Sequence, residues 1–463
     1  MEWSRGALLL ALVATPATAA FDGASLPLLW GLPFAWLLLS IAIVPLVAPR
    51  FWHAHFGKVA LAWSLALVVP FAVRFGGGEA IHHVVHALLL EWMPFLVILF
   101  ALYTVAGGIC VRGRTGGTPA RNTALLALGA ALASVMGTTG SAMLLIRPLL
   151  ASNEHRRHRA HSVVFFILLA GNVGGALTPL GDPPLFIGFM KGIDFFWTTR
   201  ALALPTLALC IALLGLYYVV DRALFAREAA DNEPVPDPGP LRLEGGFNLV
   251  LLGGVIAVVL MSGLWNPAVT FDVLGTELEL QRVIRDLVLI GLALLSLKLT
   301  PAVVREHNVF HWGPIVEVAK LFAAIFVTIF PVVTILQAGP EGALGGVIAL
   351  VSASRGVPDN FMVFWVTGVL SAFLDNAPTY LVFFNLAGGD PAALMGPLAG
   401  TLKAISMAAV YFGALTYIGN APNFMIKAIA EDRGIAMPSF FAYLAYASVV
   451  MLPMLAVVSW LAI

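Results

Sequence analysis

The sequence carries little charge for its length. Only 11% of its 463 residues are charged and 60% are hydrophobic, whereas charged residues make up about 25% of an ordinary soluble domain. A soluble chain of this composition would expose large apolar patches and aggregate. The 25 basic and 25 acidic residues give a formal net charge of zero. The composition therefore excludes an ordinary soluble domain, and the charge gives no reason to expect a nucleic acid partner.

Cysteine is also scarce. Cys110 and Cys210 lie far apart, each within an apolar run. Two such residues suggest neither a disulfide framework nor a metal site, and small buried side chains are their ordinary role. We therefore expect no cofactor and no resident metal.

Long apolar runs recur along the whole chain instead, each on the scale of a membrane-crossing helix. They predict an all-α polytopic membrane protein with about ten transmembrane helices in a lipid bilayer. The predicted spans cover residues 30–49, 59–74, 92–111, 162–190, 201–220, 246–264, 283–298, 313–337, 400–430 and 438–462.

A polar segment divides these spans into two halves. Residues 221–246 are acidic and proline-rich, so they cannot lie in hydrocarbon. We interpret them as a cytoplasmic linker between a first membrane repeat, residues 30–220, and a second, residues 247–463.

The first 20 residues have the pattern of a signal peptide. They contain one basic residue, Arg5, then a short apolar core and Ala17-Thr18-Ala19, which is typical of a cleavage site. We expect cleavage after Ala19 or Ala20, and an uncleaved anchor helix is the alternative. The expected location is a bacterial inner membrane.

Two further apolar segments are broken in the middle. Residues 122–152 contain Gly-Thr-Thr-Gly-Ser at 137–141, and residues 360–389 contain Asp-Asn-Ala-Pro-Thr at 375–379. Each arm is too short to span comfortably, so each segment predicts a re-entrant hairpin whose tip is buried or lines a wet cavity. Three arginines stand in each loop around the first hairpin and no basic cluster flanks the second. The hairpins should therefore enter from opposite sides.

The broken segments belong to an internal repeat. When the sequence is shifted by 238 positions, Gly175-Ala176-Leu177-Thr178 matches Gly413-Ala414-Leu415-Thr416, and 7 of the 16 positions from 175 to 190 are identical. The two hairpin tips match at the same offset. Five spans before the linker then place the second half upside down, which predicts an inverted-topology repeat, an architecture common among secondary transporters.

Polar residues at the breaks are candidate ligands. Asp182 before Pro183, and Asn420 in the second half, are typical of helix N-caps, so a half-helix should begin after each. Ser141 and Thr379 are candidate caps of the outgoing hairpin arms. Broken helices also free carbonyl groups that can bind a cation.

Each half carries one intramembrane acid, Asp182 on the first broken span and Asp375 on the second hairpin tip. Such acids cost about 3 kcal/mol on insertion scales and are usually functional or paired. Helix capping alone is the structural alternative. A carboxylate that binds either a proton or a metal cation makes the two compete, which is the minimal chemistry of exchange.

Four stretches resemble the ion-transporter superfamily, and above all its NhaD-like sodium/proton antiporters and citrate-transporter branch. They are GNVGGALTPLGDPPLFIGF, MGTTGSAMLLIRPLL, FLDNAPTYLVFFN and LTYIGNAPNF. The resemblance implies ion- or substrate-binding residues in two groups, Thr138, Thr139, Ser141, Gly181 and Asp182, and Asp375, Asn376, Thr379, Gly419 and Asn420. It also implies a homodimer formed through scaffold spans.

The hairpin tips favour a cation over a dicarboxylate. Dicarboxylate symporters of the superfamily carry Ser-Asn-Thr there, whereas this chain has Gly137-Thr138-Thr139 and Asp375-Asn376-Ala377. The first hypothesis is therefore a sodium or lithium/proton antiporter working by alternating access. A cation-coupled carrier of citrate or another carboxylate is the alternative. An intramembrane aspartyl protease fits poorly, because residues 179–182 read Pro-Leu-Gly-Asp rather than Gly-x-Gly-Asp, so no enzyme is expected.

Three other polar residues stand near the breaks. Asn172 either joins the first site or bonds between helices, and both interpretations stay open. Asn423 and Lys427 follow the second break, and Lys427 either faces the site or snorkels to the cytoplasmic surface.

Overall fold

The computed structural model describes residues 23–228, 241–346, 348 and 358–463, so the predicted signal peptide lies outside the described residues. In chain order the α-helices are α1 (Leu32–Val47), α2 (Pro49–Phe75), α3 (Gly77–His86), α4 (Met93–Ala106), α5 (Pro119–Met136), α6 (Thr138–Ser152), α7 (Ala160–Leu169), α8 (Pro183–Met190), α9 (Phe195–Glu228), α10 (Phe247–Leu264), α11 (Leu280–Leu299), α12 (Ala302–His307), α13 (Gly313–Gln337), α14 (Asn360–Leu374), α15 (Asn376–Leu386), α16 (Pro391–Met395), α17 (Ala399–Phe412), α18 (Ala421–Asp432) and α19 (Phe440–Ala462).

Short strands form two antiparallel ribbons between the helices. Strand β1 (Cys110–Arg112) pairs with β2 (Arg242–Glu244), and β3 (Thr270–Val273) pairs with β4 (Thr276–Glu279). Five short pieces of 3-10 helix and one π-helical stretch also occur among the described residues, and the 3-10 pieces include Val173–Leu177 and Gly413–Leu415. The fold is therefore all-α apart from two ribbons, as the composition predicted.

Eight helical segments within the described ranges are long and apolar enough to cross a membrane, and the sequence predicted about ten. These segments are Leu28–Val47, Pro49–Phe75, Gly77–Ala106, Ala160–Leu177, Phe195–Glu228, Phe247–Leu264, Gly313–Gln337 and Phe440–Ala462. The predicted span 283–298 lies in α11, where Arg282, Arg285 and Asp286 add charge. The predicted span 400–430 is divided into helices too short to qualify.

Large apolar side chains on these helices are exposed, including Leu204 at 81%, Val449 at 77% and Trp460 at 80%. Such side chains on long apolar helices are suited to a lipid solvent rather than to water. The chain is an integral membrane protein.

The described residues form two compact units that do not follow the two sequence halves. Unit 1 contains the described residues up to Leu96, Ala268–Leu280 and the described residues from Val316 to 348. Unit 2 contains the described residues of Val97–Pro267, Gln281–Ile315 and 358–463. Each unit therefore combines segments from both sides of the predicted linker.

Unit 1 is held together by aromatic contacts and few polar ones. Trp36 stacks on Trp63 between α1 and α2, with ring centroids 6.3 Å apart. Phe71 of α2 packs edge-to-face on Phe330 of α13 at 5.0 Å, and the Trp92 indole donates a hydrogen bond of 2.7 Å to the Ala319 carbonyl. This unit contains none of the candidate site residues.

The centre of unit 2 is formed by two helices that are buried on almost every side, α7 and α17. Each is the incoming arm of a broken span. The arms end at Leu169 and Phe412, and each is followed by a 3-10 turn before the outgoing helix begins. The two broken spans therefore lie in the protein interior, where freed backbone groups can find protein partners.

The breaks recur at the repeat offset. The first hairpin ends α5 at Met136 and starts α6 at Thr138, and the second ends α14 at Leu374 and starts α15 at Asn376. These positions differ by 238, as do the outgoing starts of α8 and α18. The element boundaries at the breaks therefore match at the repeat offset, while the opposite orientation of the two halves in a membrane stays a prediction.

The first part of the predicted linker is helical. Helix α9 continues through Asp221 to Glu228, whereas the sequence placed the linker at 221–246. The helix extends because its last two turns present Asp221 and Glu228 to buried Arg156, which bonds both carboxylates. Strand β2 then lies in the last described part of the linker and is followed by Gly245 and Gly246.

Candidate functional site

The first hairpin reverses its direction at a single glycine. Gly137 has φ +82° and ψ 153°, a region that is essentially restricted to glycine. It separates α5 from α6, whose first backbone NH, that of Thr138, donates to the Gly181 carbonyl at 2.9 Å. The hairpin tip is thus bonded directly to the first broken span, one residue before Asp182.

The second hairpin tip has the same backbone but an acid in place of the glycine. Asp375 has φ +74° and ψ 143°, and its carboxylate accepts a hydrogen bond from the Ala377 backbone NH. Asp375 therefore caps α15, as the structural alternative expected. The predicted caps differ: Ser141 donates to the Gly129 carbonyl at 2.6 Å and Thr379 to the Asp375 carbonyl at 2.8 Å. One residue with positive φ is enough to reverse each hairpin, so both hydroxyls lie inside the outgoing helices.

In each half, a threonine hydroxyl bonds the broken span to the hairpin in the same way. The Thr178 hydroxyl donates to the Ser134 carbonyl at 2.5 Å, and the Thr416 hydroxyl donates to the Ala372 carbonyl at 2.5 Å. Each bond joins a broken span to the hairpin of its own half. The repeat thus preserves individual contacts, because donor and acceptor both move by 238 positions.

Asp182 is the centre of the site. Its side chain is buried, and the residue is 2% exposed. Its Oδ1 accepts hydrogen bonds from Thr138 Oγ1 at 3.3 Å and Asn420 Nδ2 at 2.9 Å, and its Oδ2 accepts one from Asn376 Nδ2 at 2.5 Å. Three other broken elements therefore contact the carboxylate of the first broken span.

Residues from both groups of candidate ligands consequently meet at one carboxylate. Asn376 and Asn420 come from the second half but bond to the acid of the first. Asp182 and Asn420 are equivalent residues in the repeat, and they bond to each other. Equivalent positions of the two halves are therefore in direct contact at Asp182.

Asp182 occupies the N-cap position of α8 with extended backbone, yet its side chain makes no capping bond. Asn420 behaves in the same way before α18. Both side chains turn towards each other instead of towards their own helices. The capping interpretation of Asp182 and Asn420 therefore holds for the backbone and not for the side chains.

A chain of amides continues from Asn420. Its Nδ2 lies 3.2 Å from Asn172 Oδ1 and 3.1 Å from the Gly171 carbonyl. Asn172 Nδ2 donates to Asn423 Oδ1 at 2.7 Å, and Asn423 Nδ2 donates to the Gly413 and Thr416 carbonyls. Asn172 thus satisfies both of its proposed roles, because it joins the site and bonds between the two broken spans.

Four half-helices begin around this network, at Thr138 in α6, Pro183 in α8, Asn376 in α15 and Ala421 in α18. Helix α8 packs on α15, and α18 packs on α6, so each broken span touches the hairpin of the other half. The N-terminus of a helix carries a partial positive charge. The electrostatic field of these ends favours an ionised carboxylate at the centre.

Comparison with known proteins identifies the family of the chain. A sequence family described as "Putative citrate transport" matches residues 23–463. The chain belongs to this family. An uncharacterized transporter of Mycobacterium bovis is 25% identical over 334 residues, which cover 69% of this chain and 72% of the relative. An uncharacterized transporter of Mycobacterium tuberculosis matches with the same identity and coverage.

This member of the citrate-transport family is accordingly a membrane transporter, and a transport role agrees with the expectation that it is no enzyme.

Other candidate ligands lie beside the Asp182 network. Thr139 is the half-buried second residue of α6, and Gly419 donates its NH to Thr416 Oγ1 at 2.9 Å. Lys427 lies apart, because its ammonium bonds both carboxylate oxygens of Glu431 at 2.7 Å.

Sequence reasoning missed a second polar cluster in this transporter. Arg156 is buried and bonds Asp221 at 2.5 Å and Glu228 at 3.1 Å. His161 approaches Asp221 at 2.8 Å, and His158 approaches Glu228 at 2.7 Å. The sequence uses the arginines of this loop only to orient the first hairpin. A signal existed, since Asp221 and Glu228 stand seven positions apart and would share one face of a continued helix.

Proposed function

We propose that this transporter exchanges a small monovalent cation, sodium or lithium, for protons at Asp182. One observation supports the proposal most: throughout the described ranges, the partners of this buried carboxylate are neutral hydroxyl and amide donors. Burying a carboxylate without a positive partner is costly, and such a group takes up a proton or a counter-ion. A proton and a metal cation would compete for the same oxygens, which couples their movements.

The surrounding atoms suit a hard cation. Carboxylate, hydroxyl and amide oxygens are the ligands that hard cations prefer. Asn376 contributes an amide oxygen that is buried and has no hydrogen-bond partner within the described part of the chain. Thr138 adds a hydroxyl oxygen within 3.3 Å of Asp182. A cation between Asp182 and Asn376 would neutralise the acid and satisfy the amide oxygen together.

Asp375 is the second acid that we assign to the exchange. A non-glycine residue in its backbone conformation costs about 1–3 kcal/mol, and the matching position of the first half is Gly137. Glycine would form this turn without strain. Retaining an aspartate here points to a role for its carboxylate beyond the turn.

We further propose that exchange proceeds by alternating access, with the hairpins and broken spans moving against the remaining helices in a bacterial inner membrane. Transporters built from inverted repeats commonly place the site between discontinuous helices and move one part around it. The central position of Asp182 suits this mechanism, since both halves contribute to its hydrogen bonds.

A cation-coupled carboxylate carrier is the second candidate. The description of the family favours citrate, and four half-helix N-termini beside the network favour an anion. A polyvalent anion would also meet Asp182 and Asp375, and no lysine or arginine bonds to the Asp182 network in the described residues. A bound cation would have to supply the missing positive charge, so coupling to a cation would be obligatory.

Flux measurements separate the two candidates. The wild type, Asp182→Asn and Asp375→Asn are reconstituted in proteoliposomes with an internal pH dye, and sodium, lithium, potassium and citrate are added in turn. Asp272→Asn, which changes an exposed carboxylate on β3, is the matched control. We expect sodium or lithium alone to dissipate an imposed pH gradient in the wild type and the control, and in neither site variant.

Two results would change this assignment. Normal exchange by both well-folded site variants would remove Asp182 and Asp375 from the mechanism. Uptake of labelled citrate that requires a cation, without any response to cations alone, would replace exchange by the carboxylate carrier.

A further inference from the structure

Four asparagines surround Asp182, and their amides are not equally free to turn. Asn172, Asn376 and Asn423 are fully buried, and Asn420 is 2% exposed. A half-turn of an amide exchanges its oxygen, which accepts, for its nitrogen, which donates. The partners of each amide therefore decide which atom it can present to the carboxylate.

The orientation of Asn423 is fixed by the backbone. Its Nδ2 donates to the Gly413 carbonyl at 2.7 Å and to the Thr416 carbonyl at 2.8 Å. Carbonyl oxygens accept and cannot donate, so a turned Asn423 would place its own oxygen against both. Asn423 must therefore present its oxygen to Asn172.

The orientations of the Asn172 and Asn420 amides are fixed in the same way. Asn172 Nδ2 lies between two acceptors, Asn423 Oδ1 at 2.7 Å and the Ile167 carbonyl at 2.8 Å, so Asn172 must present its oxygen to Asn420. Asn420 Nδ2 then lies among three acceptors, which are Asn172 Oδ1, the Gly171 carbonyl and Asp182 Oδ1. Asn420 can offer Asp182 a donor and not an acceptor.

Asn376 has no comparable constraint. Its Nδ2 donates to Asp182 Oδ2, while its Oδ1 is buried without a hydrogen-bond partner in the part of the chain that the structure describes. A half-turn would place this oxygen beside Asp182 Oδ2 and break no other recorded bond of the side chain. The two amides on Asp182 thus differ: one is fixed as a donor, and the other is free to exchange donor for acceptor.

We propose that Asn172 and Asn423 are positioning residues that fix the Asn420 amide as a permanent donor to Asp182, and that Asn376 is the amide that turns when Asp182 changes its bound ion. The role of Asn376 rests on the proposed exchange at Asp182. A fixed donor stabilises the charged carboxylate, so Oδ1 stays hydrogen-bonded and Oδ2 is the oxygen that accepts a cation or a proton. Asn376 Oδ1 would then ligate the cation or accept from the protonated acid.

The repeat supplies its own substitutions for the test. At the offset of 238, Asn172 matches Val410 and Asn423 matches Leu185. The double variant Asn172→Val/Asn423→Leu therefore places side chains that the other half already holds at equivalent positions. Asn248→Leu is the control, because Asn248 is a buried asparagine that bonds Gly108, Thr300 and Ser296 in a different network.

Other groups near Asp182 must stay constant in the test. Asp375, at the start of α15, is the second titratable group beside Asp182, while Thr138 from α6 and Asn420 from α18 are uncharged. Lys427 on α18 is paired with Glu431. Neither substitution in the double variant adds or removes a charge.

The measurement is an infrared pH titration of the protonated carboxyl band that disappears in Asp182→Asn, made on the full-length protein in lipid. We expect the proton affinity of Asp182 to rise about tenfold in the double variant, a shift of about one pH unit, because its fixed donor is loosened. Asn248→Leu should lower thermal stability without moving the band. An unchanged Asp182 titration in a folded double variant would overturn the role of Asn172 and Asn423.

Sodium/proton exchange by the same variants completes the test. The double variant should show an apparent KM for sodium about three- to tenfold higher, with Vmax within about twofold, and Asn376→Leu should lower Vmax by more than about tenfold. A raised KM in Asn248→Leu as well would indicate a general structural effect and overturn the proposal. Absence of exchange in the wild type, together with the infrared shift, would overturn the proposed function and the turning of Asn376 while the fixed donor stands.

Discussion

Asp221 and Asp182 are both buried carboxylates of unit 2, but they are held in opposite ways. Asp221 accepts from the Arg156 guanidinium at 2.5 Å, with His161, Asn122 and Tyr217 as further partners. Asp182 accepts from one hydroxyl and two amides. Both residues are almost inaccessible, at 0% and 2% exposure. Burial is therefore not what separates a structural acid from one that can exchange an ion.

The difference lies in whether the counter-charge belongs to the protein. An arginine guanidinium is a permanent cation, so Asp221 has a partner of opposite charge within the protein. Asp182 has donors that stabilise its negative charge but do not neutralise it. A cation or proton from solution can complete the site, and it can leave again.

Replacing Asp182 should have the largest functional effect and little effect on stability. Asp182→Asn is expected to lower exchange at least about 100-fold, because the exchangeable charge is lost. Asn376 can turn to accept from the new amide, so the melting temperature should stay near that of the wild type. Flux in proteoliposomes and thermal unfolding in detergent measure the two quantities, and a large fall in melting temperature would make Asp182 structural, like Asp221.

Arg156→Met is expected to show the reverse pattern. Removing one partner of a buried ion pair typically costs about 3–5 kcal/mol, and here Asp221 and Glu228 both lose the guanidinium. Exchange per folded molecule should persist, because the cluster shares no hydrogen-bond partner with Asp182 in the described ranges. Arg156→Lys, which keeps the charge, should lose less stability. Abolished exchange in folded Arg156→Met would connect the two clusters.

These two clusters differ in how far the sequence predicted them. The breaks at Gly137, Asp182, Asp375 and Asn420 follow from local chemistry, since glycine, proline and capping residues act on their own segment. The offset of 238 then related the two halves. The all-α membrane fold followed from composition alone.

The meeting of the two halves at Asp182 could not be predicted in this way. The Asn376–Asp182 and Asn420–Asp182 bonds join residues 194 and 238 positions apart, and no local pattern encodes which acid a distant amide will face. The Arg156 cluster could not be predicted either. Its two carboxylates lie in the last turns of α9, and the polar composition of residues 221–228 indicated a linker there rather than a helix. The prediction of Ser141 as a cap is wrong because Gly137, at positive φ, already occupies the N-cap position of α6.

Asp375→Gly should separate the functional role of the Asp375 carboxylate from the backbone strain at that position. The positive φ of Asp375 is strained, while glycine adopts it freely, and the lost cap on Ala377 costs only a few tenths of a kcal/mol when glycine replaces aspartate. We expect a net gain of about 1 kcal/mol in stability together with loss of exchange. Asp375→Asn, which keeps the strain, should lose exchange without the gain. A destabilised Asp375→Gly would show that the carboxylate is retained for folding.

Replacing Glu244, whose ion pairs are more exposed than those of the Arg156 cluster, should have the smallest effect. On the ribbon of β1 and β2, Glu244 lies 2.8 Å from His307 Nδ1 and 3.2 Å from Arg112 Nη1. The hydrogen bond with His307 is the largest cause that lowers the pKa of Glu244 from its ordinary value of 4.5, and Arg112 lowers it further. Because the folded state binds this proton more weakly than the unfolded state, the stabilisation is present above pH 4.5 and is lost as the pH falls through the lowered pKa.

Thermal unfolding of Glu244→Gln should therefore differ slightly from the wild type at pH 6, and the difference should vanish in acid or in high salt, which screens exposed pairs. An effect at pH 6 as large as that of Arg156→Met would mean that exposure does not weaken the pair, and the distinction between buried and surface charge in this protein would fail.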